Sequence, residues 1–292
     1  MMEDLIARLY PHGESEDGYA SHTIKRSENS SRYVDAENIS PELRGRDSRE
    51  STAPPDDSKD VDGARLYRGR GLQLTFTVGP KASPGFVFGT DANRCDIVLP
   101  PLKGISRHHC YLTFDVDQRL ILRDISSYGT AVEYNGRGGE KRRHFTWVLG
   151  GDRLPAKSDS IVIKLHRSLS FRIVVAKPTY YEIYSENVDQ FLEDTALTDS
   201  VSLGALGIQS VASTTVPSGA GTPKQDPILL EQEMLGSGTF AVVKRVWDVS
   251  TGREYACKKF IDLKRSDWRK EASLMRSSLH VSFKTDMEKK SY

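Results

Sequence analysis

The middle of the chain contains a group of polar residues whose types suit anion binding. They are Ser106, Arg107, His109, Ser127 and Gly129. A guanidinium forms charge-assisted hydrogen bonds with an oxyanion, serine hydroxyls donate further ones, and glycine permits tight backbone turns. These residues fall in polar turns between apolar runs, and binding residues concentrate on loops that a rigid scaffold holds. The pattern therefore predicts an anion site at the loop tips of one domain.

The scaffold that must position these loops is predicted to be a β-sandwich. Residues 65–178 contain short apolar and β-branched runs separated by turns with Gly, Pro, Asp or Ser, which is typical of the strands of a sandwich. The runs are LQLTFTV, GFVFG, DIVL, CYLTFDV, RLILRDI, TAVEYN, HFTWVLG, SIVIKLH and SFRIVVA. We therefore expect a mainly β fold for this part of the chain.

The motifs in the turns have a definite order and spacing. They are Gly89, Cys95-Asp96-Ile97, Ser106-Arg107-His108-His109, and the run from Asp124 to Thr130. In this order the segment resembles the forkhead-associated (FHA) domain, a phosphothreonine-binding sandwich of about 11 antiparallel strands. The resemblance implies that Ser106, Arg107 and Ser127 contact the phosphate, and that the partner is a phosphothreonine-containing protein.

Three further residues would brace the loops by the same resemblance: Gly89, His109 and Gly129. His109 would then be a structural residue and neither an acid nor a base. We predict no metal site at His108-His109-Cys110, because adjacent strand residues point to opposite faces and do not converge on one ion.

Two positions depart from the FHA pattern. Thr90 stands where the family has a phosphate-binding Arg, and Tyr128 stands where it has an Asn that grips the peptide. Loss of one charge-assisted hydrogen bond costs about 1.5–3 kcal/mol, roughly ten- to a hundredfold in affinity. We hypothesise that Arg94 reaches the phosphate instead. The alternative is an FHA-shaped interaction domain that binds without phosphorylation.

A second group of residues suited to phosphate binding lies near the end of the sequence. Gly236 and Gly238 belong to the turn GSGTFAVVK, and small residues let backbone amides approach a polyphosphate. Lys258 follows at the spacing of the next two strands, and a helical pattern with Glu271 comes after it. In this order residues 227–280 resemble the beginning of a serine/threonine protein kinase domain, as in checkpoint-type kinases that carry an FHA domain.

The kinase resemblance implies roles for these residues. Gly236, Gly238 and Val243 would cover a nucleotide, Lys258 would hold its α- and β-phosphates, and Glu271 would pair with that lysine. The cofactor of the intact family member would be ATP with magnesium. The motifs His-Arg-Asp and Asp-Phe-Gly do not occur in the sequence. We therefore expect no phosphotransfer and no productive ATP binding by this chain, which is either an inactive kinase stub or a fragment of an active kinase.

Composition predicts the remaining organisation. We expect a disordered tail over 1–64, an FHA domain over 65–178, a helix and flexible linker over 179–226, a partial kinase N-lobe over 227–280 and a tail outside the family over 281–292. The N-terminal segment is dense in Ser, Asp, Glu and Arg, and such composition buries too little apolar surface to offset chain entropy.

Charge and cysteine content restrict the partners and the compartment. The net charge is +1, so we expect no bulk attraction to nucleic acid or to acidic membranes. The basic run Lys141-Arg142-Arg143-His144 indicates a solvated hairpin tip, with a nuclear-import or nucleic-acid patch as the alternative. Three widely spaced cysteines and no apolar run of membrane-spanning length favour a cytoplasmic or nuclear protein with reduced thiols.

Overall fold

The fold was analysed in a computed structural model. The residues it describes are 4–13, 18–35, 69–152, 154–155, 158–205, 225–239 and 241–261, with the side chains of 197–205 excepted. The chain divides into two compact units. The first comprises residues 1–228 with 249–252, and the second comprises residues 229–248 with 253–292.

Two β-sheets form the first unit. One sheet contains β1 (Leu5–His12), β2 (Tyr33–Val34), β3 (Gly71–Thr75), β8 (Ala131–Tyr134), β9 (Arg137–Gly138), β11 (Ile161–His166) and β12 (Leu169–Val175). The other contains β4 (Phe86–Gly89), β5 (Ile97–Val98), β6 (Cys110–Phe114), β7 (Leu120–Asp124) and β10 (Thr146–Val148). The strand orders are β2-β3-β1-β12-β11-β8-β9 and β10-β7-β6-β4-β5. The predicted mainly β sandwich is confirmed.

The apolar residues of the predicted runs form the core. Trp147, Phe171 and Leu122 are fully buried, as are Phe86 and Phe88 to within one per cent of their surface. Burial of this apolar surface is the main force that stabilises a sandwich, at about 25 cal/mol per Å².

One strand pair differs from the antiparallel prediction. β4 and β5 run parallel, with Phe88 opposite Ile97. The direction of β5 is set by backbone bonds at its two ends, from Asp96 N to Val87 O (2.8 Å) and from Leu99 N to Gly89 O (2.7 Å). A strand of two residues is too short to carry a sequence pattern that indicates its direction.

The prediction of a disordered tail over residues 1–64 is wrong for its described parts. β1 lies inside the seven-stranded sheet, paired with β12 on one edge and with β3 on the other. Its residues Ile6, Ala7 and Leu9 are fully buried. A short helix, α1 (Tyr19–Ile24), and a 3₁₀ helix (Ser27–Arg32) follow it. Residues 36–64 lie outside the described residues.

Buried polar side chains attach this N-terminal segment to the second sheet. Asn29 accepts a hydrogen bond from Val98 N (2.8 Å) and donates one to Thr23 O (2.8 Å). Arg32 forms a buried ion pair with Asp96 at 2.9 Å. Asp96 also accepts from the backbone of Lys81 and Val87, both at 2.9 Å. Because these groups are fully paired, burial does not leave an unsatisfied charge.

Helix α2 (Tyr181–Ala205) follows the sandwich and packs against it. Its Tyr184 and Phe191 rings lie edge-on to Phe76 and Phe114 of the sandwich, with centroids 5.3 Å apart in each pair. The spacing of the apolar residues in YYEIYSENVDQFLEDTA predicts this helix, and its buried side chains, among those described, lie on one face. None of the helices in the described ranges has the length and hydropathy that a membrane crossing requires.

The second unit contains one antiparallel sheet in the described residues. Its strands are β13 (Leu229–Ser237), β14 (Ala241–Asp248) and β15 (Glu254–Phe260), in that order. Glu231 forms ion pairs with Lys244 (2.6 Å) and Lys259. The predicted helix with Glu271 and the predicted tail over 281–292 lie outside the described residues.

Candidate functional site

Three loops meet at one end of the sandwich. We call them the first loop (residues 90–96), the second loop (99–109) and the third loop (125–130). Backbone hydrogen bonds join the first two, from Thr90 N to Ser106 O and from Asp91 N to Arg107 O, both at 3.3 Å. The second and third loops are joined by Ser127 N, which donates to the Ser106 hydroxyl oxygen at 3.2 Å. The sequence-predicted phosphate contacts are therefore brought together.

Gly89 permits the close approach of the first and second loops. A Cβ on this residue would lie 2.0 Å from the carbonyl oxygen of Arg107 and 2.9 Å from the sulfur of Cys95. The same carbonyl accepts a hydrogen bond from the Cys95 thiol at 3.2 Å. Burial raises the pKa of that thiol to about 11, so it remains protonated and able to donate at neutral pH. Only glycine fits at this contact.

His109 fixes the second loop from inside. Its side chain is fully buried, and its Nδ1 accepts a hydrogen bond from Ser106 N at 3.1 Å. Its backbone donates to Phe88 O (2.7 Å) and accepts from Ile125 N (3.0 Å). Burial lowers the pKa of His109, which favours the neutral ring that this bond requires. The geometry assigns this histidine to holding Ser106 in place.

The third loop is ordered by a buried carboxylate that sequence reasoning did not single out. Asp124 accepts hydrogen bonds from the hydroxyls of Ser126 (2.9 Å) and Thr130 (2.7 Å). The Ser126 oxygen in turn accepts from Gly129 N at 2.6 Å and from Tyr128 N at 3.2 Å. The signal was present in the motif from Asp124 to Thr130, whose short polar residues at spacings of two and three favour such local bonds.

Gly129 has a positive φ of 87° and faces the backbone of a neighbouring segment. A Cβ there would lie 2.8 Å from the carbonyl oxygen of Arg142. Its conformation and its contact both require glycine. The third loop therefore presents Ser127 and Tyr128 outward from a fixed base, and both are exposed.

The cationic and hydroxyl groups at the loop tips are accessible. The Arg107 side chain is 84% exposed, and its guanidinium lies 4.0 Å from a carboxylate oxygen of Asp91. Since the Ser106 oxygen accepts from Ser127 N, its own hydrogen is available to a ligand. An exposed guanidinium and serine hydroxyls on adjoining loops are groups that can bind a tetrahedral oxyanion.

The first loop contributes a negative charge beside Arg107. The backbone N–H of Asn93 donates to the Asp91 carboxylate at 3.0 Å and lowers the pKa of that group, with further lowering from His108 at 3.6 Å. Arg94 lies on the exposed turn of this loop, where its backbone donates to Asp91 O at 3.3 Å. In the part of the chain that is described, the Arg94 guanidinium contacts none of the other predicted phosphate ligands. That it reaches a bound phosphate stays a prediction.

The second unit places its predicted nucleotide residues on one hairpin and the adjacent strand. Gly236, predicted to lie in the turn, lies in β13 opposite Val243 of β14, because the hairpin pairing extends to Ser237. Gly238 lies in the turn itself, where its N–H donates to Ala241 O at 2.9 Å. Val243 and Lys258 are cross-strand neighbours on β14 and β15, so their side chains share a face of the sheet. Glu271, the predicted partner of Lys258, lies outside the described residues.

Comparison with known proteins agrees with the geometry of the first unit. Residues 86–146 match the family model of the FHA domain, so the chain contains an FHA domain. The matched segment includes all three loops. The sandwich continues beyond it on both sides, to β1 and to β12.

A curated relative of the chain is a protein kinase. The chain is 26% identical over 167 residues to serine/threonine-protein kinase RAD53 of Saccharomyces cerevisiae, an alignment that covers 56% of this chain and 19% of RAD53. The chain thus spans about a fifth of the length of this curated relative. A solved structure, the crystal structure of Rad53 1–466 in complex with AMP-PNP, is similar at 20% identity, with a TM-score of 0.33 and coverage of 77% of this chain and 45% of that one.

Proposed function

We propose that this chain binds phosphothreonine-containing peptides through the three loops of its FHA domain. The observation that carries the proposal is the hydrogen bond between Ser127 N and the Ser106 hydroxyl (3.2 Å), next to the exposed guanidinium of Arg107. The bond joins the second and third loops at their serines, and Arg107 directly follows Ser106 in the chain, which supports two hydroxyls and a cation acting on one ligand. A phosphothreonine offers close to two negative charges and three acceptor oxygens to such a group.

The charge balance of the site limits the expected affinity. Thr90 supplies no cation, and Asp91 places a carboxylate 4.0 Å from Arg107. Relative to a domain with arginine at position 90, we expect roughly ten- to a hundredfold weaker binding. Arg94 is the cation of the first loop, and we propose that it offsets part of this loss.

The experiment is a titration of a phosphothreonine peptide library, with the matched unphosphorylated peptides, against the full chain. We expect binding that depends on phosphorylation. The double variant Ser106→Ala/Arg107→Ala should lose capture while its thermal unfolding stays unchanged. Lys177→Ala, an exposed cation beyond the far end of β12, is the control and should bind like the parent. Equal binding of both peptide sets would instead favour an FHA-shaped interaction domain without phospho-dependence.

The Arg94 hypothesis has its own measurement. Arg94→Ala should weaken phosphopeptide binding about as much as Arg107→Ala, since each removes one charge-assisted contact. An unchanged dissociation constant for Arg94→Ala would contradict it, and Arg107 would then be the main cation of the site.

We also propose that the second unit derives from the nucleotide-binding lobe of an FHA-containing serine/threonine kinase. The supporting observation is that Val243 pairs with Gly236 on one neighbouring strand and with Lys258 on the other, next to the turn that contains Gly238. If ATP binds, these residues would hold it, and ATP would supply the phosphoryl group for transfer. The alternatives are an inactive stub and a fragment of an active kinase.

Two measurements separate these alternatives. Sequencing of the transcript past codon 280 would support the fragment reading if the open frame continues into His-Arg-Asp and Asp-Phe-Gly motifs. For the 292-residue polypeptide we expect no phosphotransfer. The His-Arg-Asp and Asp-Phe-Gly motifs, which supply the catalytic base and hold magnesium in a kinase, do not occur in it. Phosphorylation of a generic substrate that disappears in Lys258→Met would contradict that expectation.

A further inference from the structure

The basic run singled out in the sequence lies against the phosphate site and has no part in it so far. We call residues 139–144, between β9 and β10, the basic loop. It contains Lys141, Arg142 and Arg143. Its position raises the question of whether these cations serve the same ligand as the three loops.

The basic loop is fixed to the base of the third loop. Arg142 and Thr130 exchange two backbone hydrogen bonds, of 2.8 and 2.9 Å. His144 N donates to a carboxylate oxygen of Asp124 at 3.0 Å. Asp124 is the buried carboxylate that also orders Ser126 and Thr130. One buried group thus fixes the third loop and the basic loop together.

Two of the cations are available to a ligand. Arg142 is paired with Glu140 at 2.8 Å, which removes it from consideration. Lys141 and Arg143 are exposed, and their side chains have no hydrogen-bond or ion-pair partner among the described residues. Exposed cations held by a rigid backbone offer charge at little ordering cost to the protein.

These two cations lie close to the third loop. The Cγ of Arg143 is 3.2 Å from the point that a Cβ on Gly129 would occupy, directly after Tyr128. Lys141 directly precedes Arg142, whose backbone is hydrogen-bonded to Thr130 of the third loop. The third loop, which carries Ser127, is therefore adjacent to a second positive region.

Resting on the proposed function, we infer that Lys141 and Arg143 bind a second anionic group on the same peptide that presents the phosphothreonine. The chemistry they recognise is an oxyanion, either the carboxylate of Asp or Glu or a second phosphate. This second contact adds charge to a site in which Thr90 has replaced a cation and Asp91 opposes one. It also gives the domain a preference among phosphothreonine peptides.

The test compares labelled peptides by fluorescence anisotropy with the full chain. One phosphothreonine peptide has neutral flanks, two carry acidic residues on its N- or C-terminal side, and two carry a phosphoserine on either side. We expect the peptides with anionic groups on one of the two sides to bind about three- to tenfold tighter than the neutral peptide, with a steeper salt dependence. The double variant Lys141→Gln/Arg143→Gln should lose that advantage and keep the affinity for the neutral peptide. Lys177→Gln should behave like the parent.

The outcomes separate the inference from the proposed function. If the neutral and anionic peptides bind equally, and the double variant binds both like the parent, the second contact is refuted and phosphothreonine binding stands. If no peptide binds in a phosphorylation-dependent way, both fail. If a DNA oligonucleotide binds more tightly than any peptide and loses that binding in the double variant, the basic loop is a nucleic-acid patch and the inference is overturned. Acidic and phosphoserine peptides distinguish the two sources of the oxyanion.

Discussion

The glycines of the two candidate phosphate sites differ in how closely other atoms pack against them. In the FHA domain, a Cβ on Gly89 would meet the Arg107 carbonyl oxygen at 2.0 Å. In the second unit, a Cβ on Gly236 would meet nothing within 4 Å among the described residues, and one on Gly238 would meet only Ala241 O at 3.8 Å. In the first site, close backbone packing requires a glycine. In the second site, the space around the glycines is open among the described residues.

The two candidate sites differ in the opposite way in their positive charge. The FHA site has fixed loops but lacks a cation at Thr90 and holds a carboxylate at Asp91. The second unit has a lysine at the position expected for a phosphate contact, Lys258, but Gly236 and Gly238 have open space around them among the described residues. One site is preorganised and short of charge, and the other has charge without comparable preorganisation.

The largest expected effect is on stability, and it tests the difference between the glycines of the two sites. Gly89→Ala should destabilise the sandwich by about 3 kcal/mol, because a carbonyl oxygen on the backbone has to move. Gly236→Ala should change the free energy of unfolding by less than about 0.5 kcal/mol, as open surface positions do. Denaturant unfolding of the two full-length variants measures both, and similar losses for the two would remove the contrast.

The charge contrast is sharpened by restoring a cation. Thr90→Arg should raise affinity for a phosphothreonine peptide by roughly tenfold or more, since it adds one charge-assisted contact to loops already in place. Thr90→Gln, which has similar reach and no charge, is the control and should gain little. Calorimetric titration gives both dissociation constants, and an equal gain in the two variants would mean that charge is not what the site lacks.

Substitution of two adjacent serines distinguishes the buried base of the FHA site from its exposed binding surface. Ser126→Ala removes a buried hydroxyl that bonds Asp124 and Gly129 N, and should cost about 1–3 kcal/mol of stability. Ser127→Ala removes an exposed hydroxyl, and should leave stability within about 0.5 kcal/mol while it weakens phosphopeptide binding severalfold. Thermal unfolding and peptide titration of both variants test this pair. A stable Ser126→Ala protein with intact binding would show that the buried network does not order the loop.

The smallest effect concerns pH. Burial lowers the pKa of His109 below its ordinary value of 6.5, so its stabilisation is complete above that value and is lost as pH falls below it. Hydrogen bonds from Lys244 and Lys259 lower the pKa of Glu231 from 4.5, so that contribution is lost only at more acidic pH. Between pH 7.5 and 5.5 the sandwich should weaken and the second sheet should not.

The measurement of this pH effect uses a variant, because His166 also has a lowered pKa from burial and would titrate in the same direction. His109→Gln should show a smaller loss of unfolding free energy over this interval than the parent chain. An identical loss would assign the pH dependence to other groups.

The strands and the loop tips could be predicted from the sequence because their signals are local. Apolar runs bounded by turn residues gave the sandwich, and Ser106, Arg107 and Ser127 stood out as polar residues in those turns. The first 35 residues could not be predicted in the same way. Their composition is polar on average, yet Asn29 and Arg32 are polar residues that are buried because distant partners, Val98 and Asp96, pair with them.

The support of the site was also beyond local patterns. The bonds of Arg142 to Thr130 and of His144 to Asp124 depend on which strands are neighbours, and local sequence patterns do not specify strand order. The parallel pairing of β4 with β5 has the same origin. The motif from Asp124 to Thr130 does predict a binding loop from the sequence. The roles of its buried residues are revealed only by their hydrogen bonds.

The position of β1 has a consequence for how the domain is made. Among the strands of the sandwich β1 is synthesised first, and it lies in the interior of a sheet, paired with β12, which is synthesised last. Until β12 has been synthesised, β1 lacks that neighbour, and its apolar residues have no complete core to enter. Such distant pairing slows folding, since the ends of a long chain have to meet before their contacts repay the lost entropy. The nascent chain therefore has to keep its N-terminal strand soluble for most of the time that the domain is being translated.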